Sequence, residues 1–116
     1  KGKNAGKVIA YTPAKTRKAE DEIRRHLGAL LVNFDAGVPL RLSVIFWHAR
    51  HKSAPKDREF PVVKPDWENE AKLVCDAMNQ CVYSDDAQIV TALIRKRYCL
   101  PGQVPRIEIF LKEERR

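Results

Sequence analysis

The sequence predicts a small α+β domain in which a mixed β-sheet packs against two helices. Segments with helical periodicity alternate with strand-like segments in the order strand, helix, strand, helix, strand, strand. The chain has 116 residues, 44% of them hydrophobic, which suits one domain with a continuous core. We therefore expect residues 1–116 to form one domain. Because the chain starts at Lys1 and its sole methionine is Met78, we also expect that an N-terminal strand is missing from it.

Two stretches have the apolar spacing of amphipathic helices. In residues 16–32, apolar side chains recur every three or four positions and charges occupy the opposite face. Residues 67–81 predict a second helix, with Asp66 in the N-cap position. The apolar stripe of this second helix should consist of Trp67, Ala71, Val74, Cys75 and Met78.

Four stretches have the alternation or apolar content of strands. They are residues 8–11, 40–48, 88–98 and 106–111. Residues 40–48 alternate only partly between apolar and polar side chains, as a strand with both faces largely covered would, which predicts an interior strand. Residues 49–64 are polar and basic, contain prolines and lack a hydrophobic period, so they predict a mobile loop, and residues 112–116 predict a charged tail.

The charge balance favours a nucleic-acid partner. Lys and Arg outnumber Asp and Glu by 22 to 15, and neutralising phosphates would release counterions. The apolar runs are much shorter than the roughly 20 residues that span a bilayer, so we expect no membrane contact and a cytoplasmic location. Cys75, Cys81 and Cys99 lack a paired spacing and predict reduced thiols. His48 and His51 could be half of a zinc site, but strand-end histidines are the simpler explanation.

Carboxylates in this basic chain concentrate at two places. Asp66 and Glu68 flank the start of the second helix, and Asp86 follows Asp85 in the turn before the third strand. Oxygen ligands of this kind suit Mg²⁺ or Mn²⁺, and Asp86 would join the first two if its strand runs back beside the helix start. Lys72 lies one helical turn after Glu68, where its ammonium would meet a scissile phosphate. These residues predict metal-dependent phosphodiester hydrolysis.

The same residues also have an ordinary structural explanation, which the spacing alone does not exclude. It consists of a helix cap at Asp66, a dipole interaction at Glu68, exposed ion pairs of Lys72 with Glu68 and Asp76, and a turn at Asp85–Asp86.

Taken together, the motifs resemble the RusA family of Holliday-junction resolvases (crossover junction endodeoxyribonucleases). Residues 64–72 have the sequence KPDWENEAK and fit the family motif D-x-D-N-x-x-K. Residues 76–78 have the sequence DAM, similar to a D-A-L helix end, and residues 84–90 have the sequence SDDAQIV, which fits D-D-x-Q-I/V. The match covers roughly residues 64–98, and residues 11–13 before a charged helix resemble the family's N-terminal half.

The resemblance implies a magnesium-dependent homodimeric endonuclease that nicks two opposing strands of a four-way DNA junction in recombination and repair, often encoded by a phage or prophage. By position, Asp66, Glu68 and Asp86 match the family's metal-binding acids, and Lys72 matches its catalytic lysine. A two-fold dimer would suit a two-fold substrate. The chain departs from the family in having Glu68 in place of an Asp and Glu70 in place of an apolar residue.

Basic residues outside the motifs are the candidate phosphate contacts. They are Lys15, Arg17, Arg50, Lys52, Lys56 and Lys64. Two other functions stay open: a nucleic-acid-binding module in which Glu68 no longer supports cleavage, and a basic α/β domain that binds another protein.

Overall fold

The structure, a computed structural model, describes residues 4–10, 16–27, 33–79 and 82–115, with side-chain surroundings from residue 20 onward. The elements in chain order are β1 (Asn4–Ala10), α1 (Thr16–Leu27), β2 (Leu40–His48), α2 (Trp67–Met78), a 3₁₀ turn (Asp86–Gln88), β3 (Ile89–Tyr98) and β4 (Arg106–Glu113). The predicted α+β class and element order are confirmed.

The four strands form one mixed sheet in the order β1-β4-β2-β3. β2 pairs in parallel with β3 and antiparallel with β4, and β4 pairs antiparallel with β1. β2 is thus an interior strand, as predicted, and its backbone hydrogen-bonding groups are satisfied on both edges. Alternate side chains of β2 enter the core, namely Leu40, Leu42, Val44 and Phe46.

The core lies between this face of the sheet and the two helices. Ile23 and Leu27 of α1 and Val74 and Ala77 of α2 are buried against it. Fully burying a Val, Leu or Ile side chain stabilises the fold by roughly 1.5–3 kcal/mol. Within the described ranges, no helix is both long and apolar enough to cross a membrane.

The ends of the elements differ from the sequence prediction in a few places. β1 starts earlier than residue 8, at Asn4, and β4 continues to Glu113, into the predicted tail. α2 ends at Met78 because Asn79 has extended backbone angles, φ −62° and ψ 128°. The predicted helical residues 28–32 and 80–81 lie outside the described part of the chain.

The buried side of α2 also differs from the predicted apolar stripe. Trp67 is 58% exposed, whereas Glu70 is buried at 5% exposure beside Val74 and Ala77. Trp67 is the first residue of the helix and follows an exposed loop, so its ring does not reach the core.

α2 runs antiparallel to β2 and β3. The side chain of His48, at the end of β2, bonds Glu70 in the first turns of α2. Lys96, near the end of β3, bonds the backbone of Pro65 just before α2. The start of α2 therefore lies at the C-terminal ends of β2 and β3, and the end of α2 lies near the 3₁₀ turn that begins β3.

Candidate functional site

The start of α2 exposes two carboxylates. Asp66 occupies the N-cap position, as predicted, but its side chain does not cap the helix. It lies instead 3.6 Å from Nζ of Lys64, and both side chains are exposed, so the pair contributes less than about 1 kcal/mol. Glu68 and Lys72 are exposed too, and neither belongs to an ion pair among the described residues. The helix cap and the Glu68–Lys72 ion pair of the structural explanation are therefore wrong.

Hydrogen bonds of Asp85 and Gln88 hold the turn before β3 in place, and the second acid of this turn, Asp86, has no such structural task. Oδ1 of Asp85 accepts a hydrogen bond from the Ala87 N–H at 2.9 Å. Oε1 of Gln88 accepts from the Asp85 N–H at 3.1 Å, and Nε2 of Gln88 donates to the backbone oxygens of Asp35 and Val38 at 3.0 Å each. Asp85 and Gln88 thus fix the turn to the loop before β2 and carry the structural role of the D-D-x-Q motif.

Asp86 is the remaining acid of this turn. Partial desolvation raises the pKa of the Asp86 carboxyl, and the hydrogen bond and charge of Asp85 and the charge of Asp76 raise it further. A bound cation would relieve the mutual repulsion among the Asp76, Asp85 and Asp86 carboxylates.

The predicted metal ligands fall into two groups within one chain. Asp86 lies near Asp76 and Cys75 in the last turns of α2, whereas Asp66 and Glu68 are at the first turn. Asp66 and Asp76 are ten residue steps apart, which corresponds to a rise of about 15 Å along a helix axis. Asp86 does not join the other two acids because β3 begins beside the C-terminal end of α2. In the part of the chain that the structure describes, no group of three or more His, Cys, Asp and Glu side chains is arranged to hold a metal ion.

Asp66 and Glu68 alone suit a more open kind of site. Mg²⁺ is commonly held by one or two carboxylates together with waters and substrate phosphates. Two exposed acids at a helix start fit that donor set, whereas the described residues of one chain do not form a three-carboxylate site.

Predicted phosphate contacts lie in the loop that leads into α2. Arg50, Lys52, Lys56 and Lys64 are all exposed there. The sequence prediction missed Lys96, whose Nζ donates to the backbone oxygens of residues 63 and 65 at 2.7 Å each and so anchors this loop to β3. Lys15 lies outside the described residues, and Arg17 lies on α1 with its side-chain surroundings outside them.

A buried polar pair, His48 and Glu70, lies beneath the start of α2. Nε2 of His48 lies 3.0 Å from Oε1 of Glu70, one helical turn after Asp66. The sequence carried a signal for it: Glu70 precedes Val74 by four residues on the buried face, so a charged group there requires a partner. His51 makes an edge contact with the Tyr98 ring at 6.1 Å. Both histidines therefore make structural contacts, as expected for histidines at the end of a strand.

The cysteines offer no activated nucleophile in the described ranges. Cys75 and Cys99 are free thiols, as predicted. Burial raises the pKa of both thiols, which keeps them protonated and weakly reactive near neutral pH. Cys81 lies outside the described residues.

Comparison with known proteins confirms the resemblance. Residues 1–112 match the family model described as "Endodeoxyribonuclease RusA". The chain is also 35% identical over 75 residues to "Uncharacterized protein YqaN" of Bacillus subtilis (strain 168), an alignment that covers 65% of this chain and 51% of that protein. The chain thus spans about half the length of this curated relative. Because the family match covers almost every residue, the chain belongs to the endodeoxyribonuclease RusA family.

Proposed function

We propose that the chain is a DNA endonuclease that resolves four-way (Holliday) junctions by paired symmetric nicks, in recombination and repair. It would act as a homodimer and require Mg²⁺, with Mn²⁺ as a possible substitute. One observation supports the proposal above all. In a chain of the RusA family, the exposed acids Asp66 and Glu68 lie at the start of a helix, directly after an exposed basic loop, and the Asp66 side chain is not used to cap that helix.

Each group of residues has a distinct task in this proposal. Asp66 and Glu68 would hold the metal ion, which when bound supplies an activated water and stabilises negative charge on the phosphate. Lys72, exposed on α2 one turn after Glu68, would neutralise charge that develops on the leaving oxygen. The cations of the basic loop would bind the phosphates on either side, so binding should weaken steeply as salt increases.

Asp86 remains a third acid of the proposed site, but through a second copy. About 15 Å of helix separates the two groups of acids within one chain. A two-fold dimer that places the start of one α2 near the 3₁₀ turn of its partner would bring all three acids together at two equivalent positions. Such an arrangement would match the two strands that a resolvase nicks.

A second candidate is a DNA-binding module without cleavage. Two observations favour it: Glu68 is one methylene longer than the Asp usual in the family, and the residues that the structure describes in one chain do not gather three carboxylates. This candidate predicts salt-sensitive junction binding and no nicks at any magnesium concentration.

Cleavage of a labelled four-way junction, beside a linear duplex of the same sequence, tests the proposal. The wild type should nick the junction in symmetric pairs only with Mg²⁺. Asp66→Asn should lower the rate at least ~100-fold, a loss typical of removing one charge-stabilising group. Asp57→Asn removes an exposed acid elsewhere in the loop and should cleave normally.

The other outcomes separate the alternatives. Tight junction binding without nicks would establish the binding module. Absence of junction binding would reject both nucleic-acid functions and leave a protein-binding domain. Equal nicking by Asp66→Asn and the wild type would place the site elsewhere.

A further inference from the structure

A cavity of about 270 Å³ lies beside the start of α2. Its walls are the end of β2 with the residues that follow it, the segment before α2, and Lys96 of β3. This volume lies just below the roughly 300 Å³ at which small-molecule sites begin. The cavity is thus large enough for at most one nucleotide-sized group and far too small for a duplex.

The cavity lining is rich in basic residues. Five of the nine lining residues carry basic or imidazole side chains, and none of the nine is acidic. The five are His48, Arg50, His51, Lys64 and Lys96. Such a concentration of donors selects an anion, and in a DNA-cleaving protein the matching anion is a phosphate.

Several of these cations keep donors for a ligand. The guanidinium of Arg50 has five N–H donors, and its bond to the Pro55 backbone oxygen, at 2.8 Å, occupies one of them. The Lys96 ammonium has three donors and makes two bonds to the loop backbone. Lys64 is 86% exposed, so its weak pairing with Asp66 leaves it able to turn toward a phosphate.

The rest of the lining is apolar. It is formed by Ala49, Pro61, Val63 and Pro65. On the side of β3, the Arg50 guanidinium lies over the Tyr98 ring, 4.7 Å from its centroid. A phosphate would thus meet cations while a sugar or base meets aliphatic surface, the combination by which proteins hold single unpaired nucleotides.

Hydrogen bonds fix the walls of the cavity before any ligand arrives. The Tyr98 N–H donates to the Glu59 oxygen at 3.0 Å, and the Cys99 N–H donates to the His48 oxygen at 2.8 Å. The His48 ring is held by Glu70 from behind. A site whose walls are already ordered loses less entropy when it binds.

We propose that this cavity binds one DNA nucleotide, with its phosphate against the cations and its sugar or base against the Val63 wall. The inference rests on the proposed function, because the cavity borders Asp66 through Lys64 and Pro65 and would hold a nucleotide next to the acids. Taking a nucleotide out of a duplex costs least where pairing is already interrupted. The cavity therefore favours branched DNA over linear duplex.

Calorimetric titration with thymidine 5′-phosphate, thymidine and inorganic phosphate tests the inference without any cleavage step. We expect the nucleotide to bind at least ten-fold more tightly than either fragment. Lys64→Gln removes a lining charge and Val63→Phe fills the cavity without a charge change, and each should weaken nucleotide binding at least five-fold. Lys112→Gln makes the same charge change on an exposed β4 residue at the other end of the sheet and should have no effect.

Equal weakening by Lys64→Gln and Lys112→Gln would overturn the inference, since the attraction would then be general. Unchanged binding in Val63→Phe, or phosphate binding as tight as nucleotide binding, would overturn it too. A wild type that binds the nucleotide but leaves junctions intact would reject the proposed nuclease and support the cavity site. A wild type that nicks junctions but does not bind the nucleotide would reject the cavity site alone.

Discussion

The buried pair of His48 and Glu70 should dominate the polar contribution to stability in the described part of the chain. The side chains are 15% and 6% exposed, and the bond between them measures 3.0 Å. His48→Leu leaves the Glu70 carboxylate inside the protein without its partner. Leaving a buried acceptor without its hydrogen-bond partner costs about 1–3 kcal/mol, and more when the acceptor is charged. We expect His48→Leu to lower the free energy of unfolding by about 3 kcal/mol, because water reaches the site through the exposed part of position 48.

Replacing the acid should cost far less than replacing the histidine. Glu70→Leu leaves a histidine donor unpaired, which costs about 1–3 kcal/mol, but it buries a leucine side chain, which contributes roughly 1.5–3 kcal/mol. The two effects nearly cancel. For the same reason the double variant, with leucine at both positions, should be within about 1 kcal/mol of the wild type.

Urea unfolding followed by tryptophan fluorescence measures these differences, provided that the slope with urea stays constant. Glu20→Gln is a matched control, because it breaks the exposed pair of Glu20 with Arg24 and should cost less than about 0.5 kcal/mol. A cost of His48→Leu no larger than that of this control would contradict a destabilising unpaired carboxylate at Glu70. A double variant as unstable as His48→Leu would contradict it too.

Three further predictions concern residues around the two ends of α2. Gln88→Ala removes the clamp between the 3₁₀ turn and the loop before β2 and should lower the free energy of unfolding by about 2 kcal/mol in urea; a loss under 0.5 kcal/mol would contradict the clamp. Because the pKa of Asp86 is raised in the folded protein, its contribution to stability falls as pH rises from the ordinary value of about 3.9 through the raised value. Asp86→Asn should therefore increase the urea midpoint at pH 7 and leave it unchanged near pH 3, and equal effects at both pH values would contradict the shift. Lys96→Met releases the loop before α2 and should accelerate limited proteolysis there, whereas Lys112→Met should not.

The fold was largely predictable because hydrophobic periodicity is local. Residues 40–48 were predicted as an interior strand and form β2 with those bounds, since the side chains of one face are buried and most of those on the other face are partly covered. The strand order was not predictable. Placing β4 between β1 and β2 depends on pairings between residues far apart in sequence, which no local pattern records.

The candidate site was predictable in composition but not in arrangement. The spacing placed Asp66 at the start of α2, and the structure agrees. The expected approach of Asp86 required β3 to begin beside that start, but the parallel pairing of β2 with β3 puts the beginning of β3 at the other end of α2. The bond between His48 and Glu70 joins residues 22 positions apart. The only sequence signal for it was the position of Glu70 on the buried face of the helix, where a charged group requires a partner.

In the proposed dimer, Asp66 and Glu68 of one copy work with Asp86 of a second copy. Mixing separately inactive Asp66→Asn and Asp86→Asn chains, and assaying magnesium-dependent junction cleavage, tests it most directly. If the acids come from two copies, each mixed dimer contains one intact site and one doubly altered site, so the mixture should recover single nicks while each variant alone stays inactive. An inactive mixture beside an active wild type, after confirmed subunit exchange, would contradict the claim.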